Sequence, residues 1–381
     1  MHTIIELQDF MVLSATINYQ LTASPVNWYA VLTLARDGTY RREGDEELIR
    51  LLEYLHEAYG TSTRRLGPLA VIHPIRTAAL LYRTVPDCPL SDLVTALLHD
   101  KEEDLTADRY HPKVWKRLEA RYQGEIHHME SAWRMQERID ALTRRPAEDY
   151  FGYLGRVMDA AEASPDIVRI KLADRLDNTL DLSVDVRSET QDVDCFELIF
   201  DVLFTSSHLG QQMPLRHPVT GRINGSRRLY QLYKNAVFLS ILRQRGKDRL
   251  DEPTTRLFQA LAHSSLRQAR QILVHLFVFH ITSTHHQRAL LQEALEYCQG
   301  ERIAMVHPVE HPHRLDGVFD SVFNIPDRKK LRVSLDNLYA DKPMMSLVAI
   351  AMAATFSSFR NDPAFFIEGI DPAGLHPRTE P

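Results

Sequence analysis

VTALLHDKEEDLT, residues 94–106, is the stretch on which the reading of this chain turns. An apolar run ends in His99-Asp100, and three acids follow at Glu102, Glu103 and Asp104. On a helix, residues four apart share a face, so His99 would stand one turn before Glu103 and Asp100 one turn before Asp104. Such an end offers an imidazole–carboxylate pair, which suits a borderline divalent ion. One turn on it offers two carboxylates that could hold or deprotonate a water. The alternative is a solvated helix end. Acids near a helix C-terminus oppose its dipole, so that placement is unfavourable without a cation.

Two other stretches supply partners. AVIHPIRTAALL (residues 70–81) sets His73 directly before Pro74 at an expected helix start, with His73 in the N-cap place. IVRIKLADRLDNTLDL (residues 167–182) sets Asp174 and Asn178 one turn apart in an otherwise apolar helix. An acid there is costly unless it is paired or bound; an ion pair with a neighbouring arginine is the plain alternative. Together His73, His99, Asp100 and Asp174 make a mixed nitrogen–oxygen ligand set.

These residues resemble the HD-domain phosphohydrolases, whose signature is H…HD…D. The likeness narrows to the hydrolase domain of Rel/Spo-type alarmone enzymes, carried by RRLGPLAVIHPIRTAALL, TALLHDKEEDLT, IDALTRRPAEDYFGYLGRV and IKLADRLDN, within residues 48–182. KLADRLDN is the most specific match. The resemblance implies one Mn(II) held by His73, His99, Asp100 and Asp174. It implies that Glu103 and Asp104 position and deprotonate the attacking water, and that Arg64, Arg65 and Asn178 contact the nucleotide. The implied reaction removes the 3′-pyrophosphate of guanosine, or adenosine, alarmone nucleotides. Alternatives are another nucleotide phosphate ester, or a nucleotide-sensing module without catalysis; the retained Glu103 and Asp104 speak against the last.

The chain departs from that pattern at several points. The family often has His where Asp177 stands and a small hydroxyl residue where Asp181 stands; two acids facing the pocket would weaken binding of a polyanion. PLAV replaces the usual Pro-Tyr before I-H-P, and the segment before LTR is longer than usual. Residues 183–381 carry no G-R-x-K-type synthetase loop, so the implied enzyme is a hydrolase only.

The rest of the chain reads as mainly α. DEELIRLLEYLHEAYG (45–60) has a helical apolar stripe stopped by Gly60, and LSDLVTALLHD (90–100) offers Ser91 as an N-cap. Helical patterning continues through residues 112–145, 148–163 and 166–182, resumes at 229–246, and runs on from about 250. Residues 1–45 mix β-branched residues with turn signals and read as a small irregular or strand-containing extension. The expected organisation is that extension, an HD helical bundle over 46–204, a Gly- and Pro-rich loop over 205–228, and a helical C-terminal region over 229–381 that could form a homo-oligomer contact.

Net charge is −6, from 45 basic and 51 acidic residues, which argues against direct nucleic-acid binding. Three scattered cysteines suit a reducing cytoplasm and exclude a cysteine-built zinc knuckle. No basic leader opens the chain, and MMSLVAIAMAATF (344–356) reads as a buried helix rather than a membrane span. The histidines of HITSTHH (280–286), HPVEHPH (307–313) and His127-His128 read as surface or structural groups.

Overall fold

The computed structural model describes residues 4–36, 38, 44–64, 68–145, 148–184, 206–208, 211–213, 225–246, 250–299, 305–306 and 313–371. The fold is mainly α, and the chain divides into two compact units, Met1–Arg144 with Ser164–Arg222, and Arg145–Ala163 with Ile223–Pro381.

The first unit holds α1 (Leu7–Thr22), α2 (Trp28–Ala35), α3 (Asp45–Tyr59), α4 (Ile72–Thr84), α5 (Leu90–Leu98), the short α6 (Lys101–Asp104), α7 (Pro112–Trp133), α8 (Met135–Leu142) and α10 (Asp166–Val184). Its centre is α4, where every residue from Ile72 to Leu81 is buried. Helices α1, α2, α5 and α10 pack around it. A helix enclosed on all sides should be apolar all round; α4 carries His73 and Arg76 there instead, and both have partners.

Among its described residues the N-terminal extension is mainly helical, with no strand. In α1, Phe10, Leu13, Ile17 and Leu21 recur at the three-to-four spacing of a buried stripe and pack towards α4 and α10. Of the β-branched residues in α1, Ile17 joins that stripe while Val12, Thr16 and Thr22 fall outside it. Gly60 ends α3 at positive φ (52°), as its sequence implies. Residues 112–145 form two helices because Arg134 adopts left-handed backbone (φ 50°) between α7 and α8. In the Gly- and Pro-rich stretch, Ser206–His208 pairs antiparallel with Gln211–Met213.

The second unit holds α9 (Tyr150–Ala163), α11 (Gly225–Arg245), α12 (Glu252–Phe279), α13 (Thr284–Gln299), α14 (Arg328–Ala340) and α15 (Lys342–Asn361). Helix α9 groups with the C-terminal helices. Its Tyr150 and Phe151 ring-pack on Tyr233 of α11, which also stacks against Phe323 and meets Phe319 edge-on. Helix α15 is long and apolar enough to cross a membrane by composition, yet 61 % of its apolar window is buried, against α11, α12, α13 and α14. It is a core helix of this unit, as the sequence indicated.

Candidate metal centre

Three helix ends and one helix interior build the site, all within the first unit. His73 is the second residue of α4, not its N-cap: the preceding turn is already wound, with Ile72 N donating to Leu69 O and His73 N to Ala70 O, so the helix starts at Ile72. Pro74 stays in the first turn, where its missing N–H costs nothing. Ser91 is not the N-cap of α5 either; Pro89 occupies that place in extended backbone.

The opening stretch is not one continuous helix. Helix α5 stops at Leu98, His99 and Asp100 form a turn, and α6 restarts at Lys101 with Asp104 N donating to Asp100 O at 2.8 Å. An unbroken helix would turn adjacent side chains about 100° apart. The break lets both His99 and Asp100 reach one point.

That point is shared with His73 and Asp174. One donor atom from each of the four lies within 4.8 Å of all the others. His73 Nε2 is 3.1 Å from Asp100 Oδ2 and 3.3 Å from Asp174 Oδ1; His99 Nε2 is 3.2 Å and 3.6 Å from the same oxygens. Both imidazoles and Asp174 are buried, and Asp100 is half-buried. Among the described residues this is the one such ligand group.

The tautomers favour a cation. His99 Nδ1 donates to Ala96 O at 2.8 Å, and His73 Nδ1 to Asp177 Oδ2 at 2.6 Å. Both Nε2 atoms therefore face the carboxylates. His99 Nε2 is fully buried and makes no well-aligned hydrogen bond, although carboxylate oxygens stand 3.2 and 3.6 Å away, an arrangement that an ion between them would explain. Two nitrogens and two oxygens at these separations suit a single Mn, Fe or Zn ion.

Electrostatics agree. In the metal-free chain burial lowers the His99 pKa, but the Asp100 and Asp174 carboxylates outweigh it and push His99 up to about 9. His73 is likewise held above its ordinary value against burial and Arg64, by Asp100, Asp174 and Asp177. Burial would raise Asp100 and Asp174; the histidines, and for Asp174 first Lys171, hold both low. The cluster takes positive charge wherever it can, which is the environment a cation would meet.

The two following acids sit beside it. Desolvation raises Glu103, with Asp100 and Asp174 adding, against Lys171 and the Arg144 N–H, which donates to Glu103 Oε1 at 2.7 Å. Desolvation also raises Asp104, and Asp100 adds, while Tyr59 Oη donates to Asp104 Oδ2 at 3.0 Å and opposes the shift. Both carboxyls are thus moved towards the range useful for taking a proton near neutral pH.

Asn178 donates from Nδ2 to Asp174 Oδ1 at 2.6 Å, and Arg64 Nη2 donates to Asn178 Oδ1 at 2.8 Å. Arg64 is placed by a bridge of Thr63 with Leu69 and by Arg64 N donating to Pro68 O. Arg65 lies outside the described residues. The two extra acids do not turn into a pocket: Asp177 is fully buried against His73 and Arg76, and Asp181 lies between Arg64 and Arg76. Of the other histidines, His285 and His286 are exposed, residues 307–312 lie outside the described residues, and His313 faces Glu293 at 3.3 Å.

Sequence reasoning passed over three groups around the cluster, Tyr59, Lys171 (Nζ 2.7 Å from Asp174 Oδ2) and Arg76. Arg76 carried a usable signal, a charge inside an apolar helix, the same one that drew attention to Asp174. No protein-family model matches the chain, and no curated protein matches it.

Proposed function

We propose that this chain is a metal-dependent phosphohydrolase of a nucleotide, with His73, His99, Asp100 and Asp174 holding one divalent ion, Mn(II) in the first instance. The observation that carries the reading is the convergence of these four side chains, drawn from positions 73 to 174, with both imidazole Nε2 atoms buried and turned to the two carboxylates. A bound ion would supply Lewis acidity and lower the pKa of a coordinated water. Glu103 and Asp104, with raised proton affinity, hold the water's hydrogens and accept one as it attacks. Arg64 would offer its remaining guanidinium hydrogens to phosphate or sugar oxygens, while Asn178, donating to Asp174 and accepting from Arg64, holds the two in place. Lys171 offsets negative charge at Asp174 and Glu103.

The substrate that fits the sequence resemblance is a guanosine or adenosine nucleotide carrying a 3′-pyrophosphate; water would attack the phosphorus bonded to O3′, the O3′–P bond would break with the nucleotide 3′-oxygen as leaving group, and pyrophosphate would carry the water oxygen. One observation favours a second substrate class. Arg64 Nε already donates to Asp181 Oδ2 at 3.0 Å, so less of its guanidinium is free for a polyphosphate, which suits a nucleotide monoester.

Product analysis separates the two. Purified chain with Mn(II) and guanosine 3′,5′-bis(diphosphate) should yield GDP and pyrophosphate, lost in Asp100→Ala. Orthophosphate from a panel of nucleotide monoesters, with the bis(diphosphate) untouched, would move the assignment to the second class. Tight binding of a nucleotide without turnover of any would replace both with a sensing role.

A further inference from the structure

A line of polar contacts leaves one member of the cluster and returns at another. His73 Nδ1 donates to Asp177 Oδ2 at 2.6 Å. Arg76 Nη2 donates to the same oxygen at 3.0 Å, its Nε lies 2.7 Å from Asp177 Oδ1, and its Nη2 is 2.9 Å from Asp181 Oδ1. Asp181 Oδ2 accepts from Arg64, Arg64 donates to Asn178, and Asn178 donates to Asp174 Oδ1. Helix α1 closes the line from behind: Ser14 Oγ accepts from Arg76 Nη1 at 3.0 Å, and the Phe10 ring lies under the guanidinium at 4.7 Å.

Arg76 is 1 % exposed and Asp177 is 0 % exposed. An ion pair that deep gains little net stability over apolar packing, because desolvation offsets the attraction. Simple stabilisation is therefore a weak account of it. Asp177 and Asp181 both meet in Arg76. A carboxylate on the far nitrogen of a ligating histidine fixes the ring's tautomer and direction.

We propose that Asp177, clamped by Arg76, is the positioning residue for His73. It holds the proton on Nδ1 and aims Nε2 at Asp100 and Asp174. The proposal rests on the metal-centre reading above. Asp181 extends the clamp to Arg64, so the arm facing substrate and the ring facing the ion are set by one buried arginine.

The test uses the full chain with 15N-labelled histidine and Zn(II) or Mn(II) as the probe ion. In the Zn(II)-loaded protein the His73 ring, assigned by its loss in His73→Gln, should show a proton on Nδ1 that exchanges slowly with water. In Asp177→Asn that protection should fall, and Mn(II) affinity by calorimetry should drop about 10- to 100-fold with helix content unchanged. Wild-type affinity and unaltered exchange in Asp177→Asn would overturn the proposal. Should the variant fail to fold, the wild-type ring decides alone: a proton on Nε2, or a fast-exchanging Nδ1 proton, overturns it. A wild-type chain that binds neither ion refutes the metal-centre reading, and this inference with it.

Discussion

Replacing Arg76 with methionine removes one buried cation and leaves two carboxylates behind it. Asp177 would keep only His73, and Asp181 only Arg64. Methionine fills a similar volume over the Phe10 ring, so cavity formation contributes little and the effect is chiefly electrostatic. Removing one partner of a buried ion pair costs about 3–5 kcal/mol. In a unit of roughly 150–250 residues that corresponds to a fall in Tm of about 6–20 °C. Urea unfolding followed by circular dichroism, with calorimetry for Tm, measures it. The triple variant Arg76→Met, Asp177→Asn, Asp181→Asn removes the stranded charges while leaving amide oxygens to accept from His73 and Arg64. It should recover at least half of the loss. A single variant within about 1 kcal/mol of wild type, the range of an exposed ion pair, would refute the reasoning. So would a triple variant as unstable as the single one.

Other outcomes follow from the same structure. Mn(II) at about 100 times its Kd should stabilise the first unit by about 2.7 kcal/mol, seen as a rise in Tm that Asp100→Ala abolishes; an equal rise in that variant would place the ion elsewhere. The Tyr59 hydroxyl bonds the charged form of Asp104 and lowers its pKa. Tyr59→Phe should therefore raise that pKa and move the acid limb of the pH–rate profile to higher pH, and an unmoved limb would show that Asp104 does not govern it. Burial pushes the Cys88 thiol up to about 12 and Cys298 to about 11. At pH 8 their thiolate fractions are then ~10⁻⁴ and ~10⁻³, so at most one of the chain's three thiols should react promptly with DTNB before denaturant is added. Two prompt thiols would contradict the burial.

The legible part of the site was the part written in local pattern. HD after an apolar run named two residues, a histidine before a helix proline and an acid inside an apolar helix one each, and the fold brings all four together. The break at His99-Asp100 was not legible, because TALLHDKEED keeps helical periodicity across it; only the need to turn neighbouring side chains to one point reveals it. Helix α1 was hidden by its β-branched residues, although Phe10, Leu13, Ile17 and Leu21 keep the helical spacing. Asp177 and Asp181 were read as potential pocket charges, since nothing in sequence shows that Arg76, about a hundred positions away, lies between them. Long-range pairing of buried charge is the information that local pattern lacks. The same holds for α9, whose aromatic residues find Tyr233 in the second unit.

Whether two histidines and two aspartates of the first unit hold one catalytic cation, as proposed above, is decided by electron spin echo spectroscopy of Mn(II) titrated into the metal-free chain, with 14N- and 15N-histidine samples compared. One tightly bound ion per chain, two directly coordinated imidazole nitrogens and loss of the signal in Asp174→Ala are expected. Binding without histidine nitrogen coupling, or unchanged in that variant, would contradict the proposal.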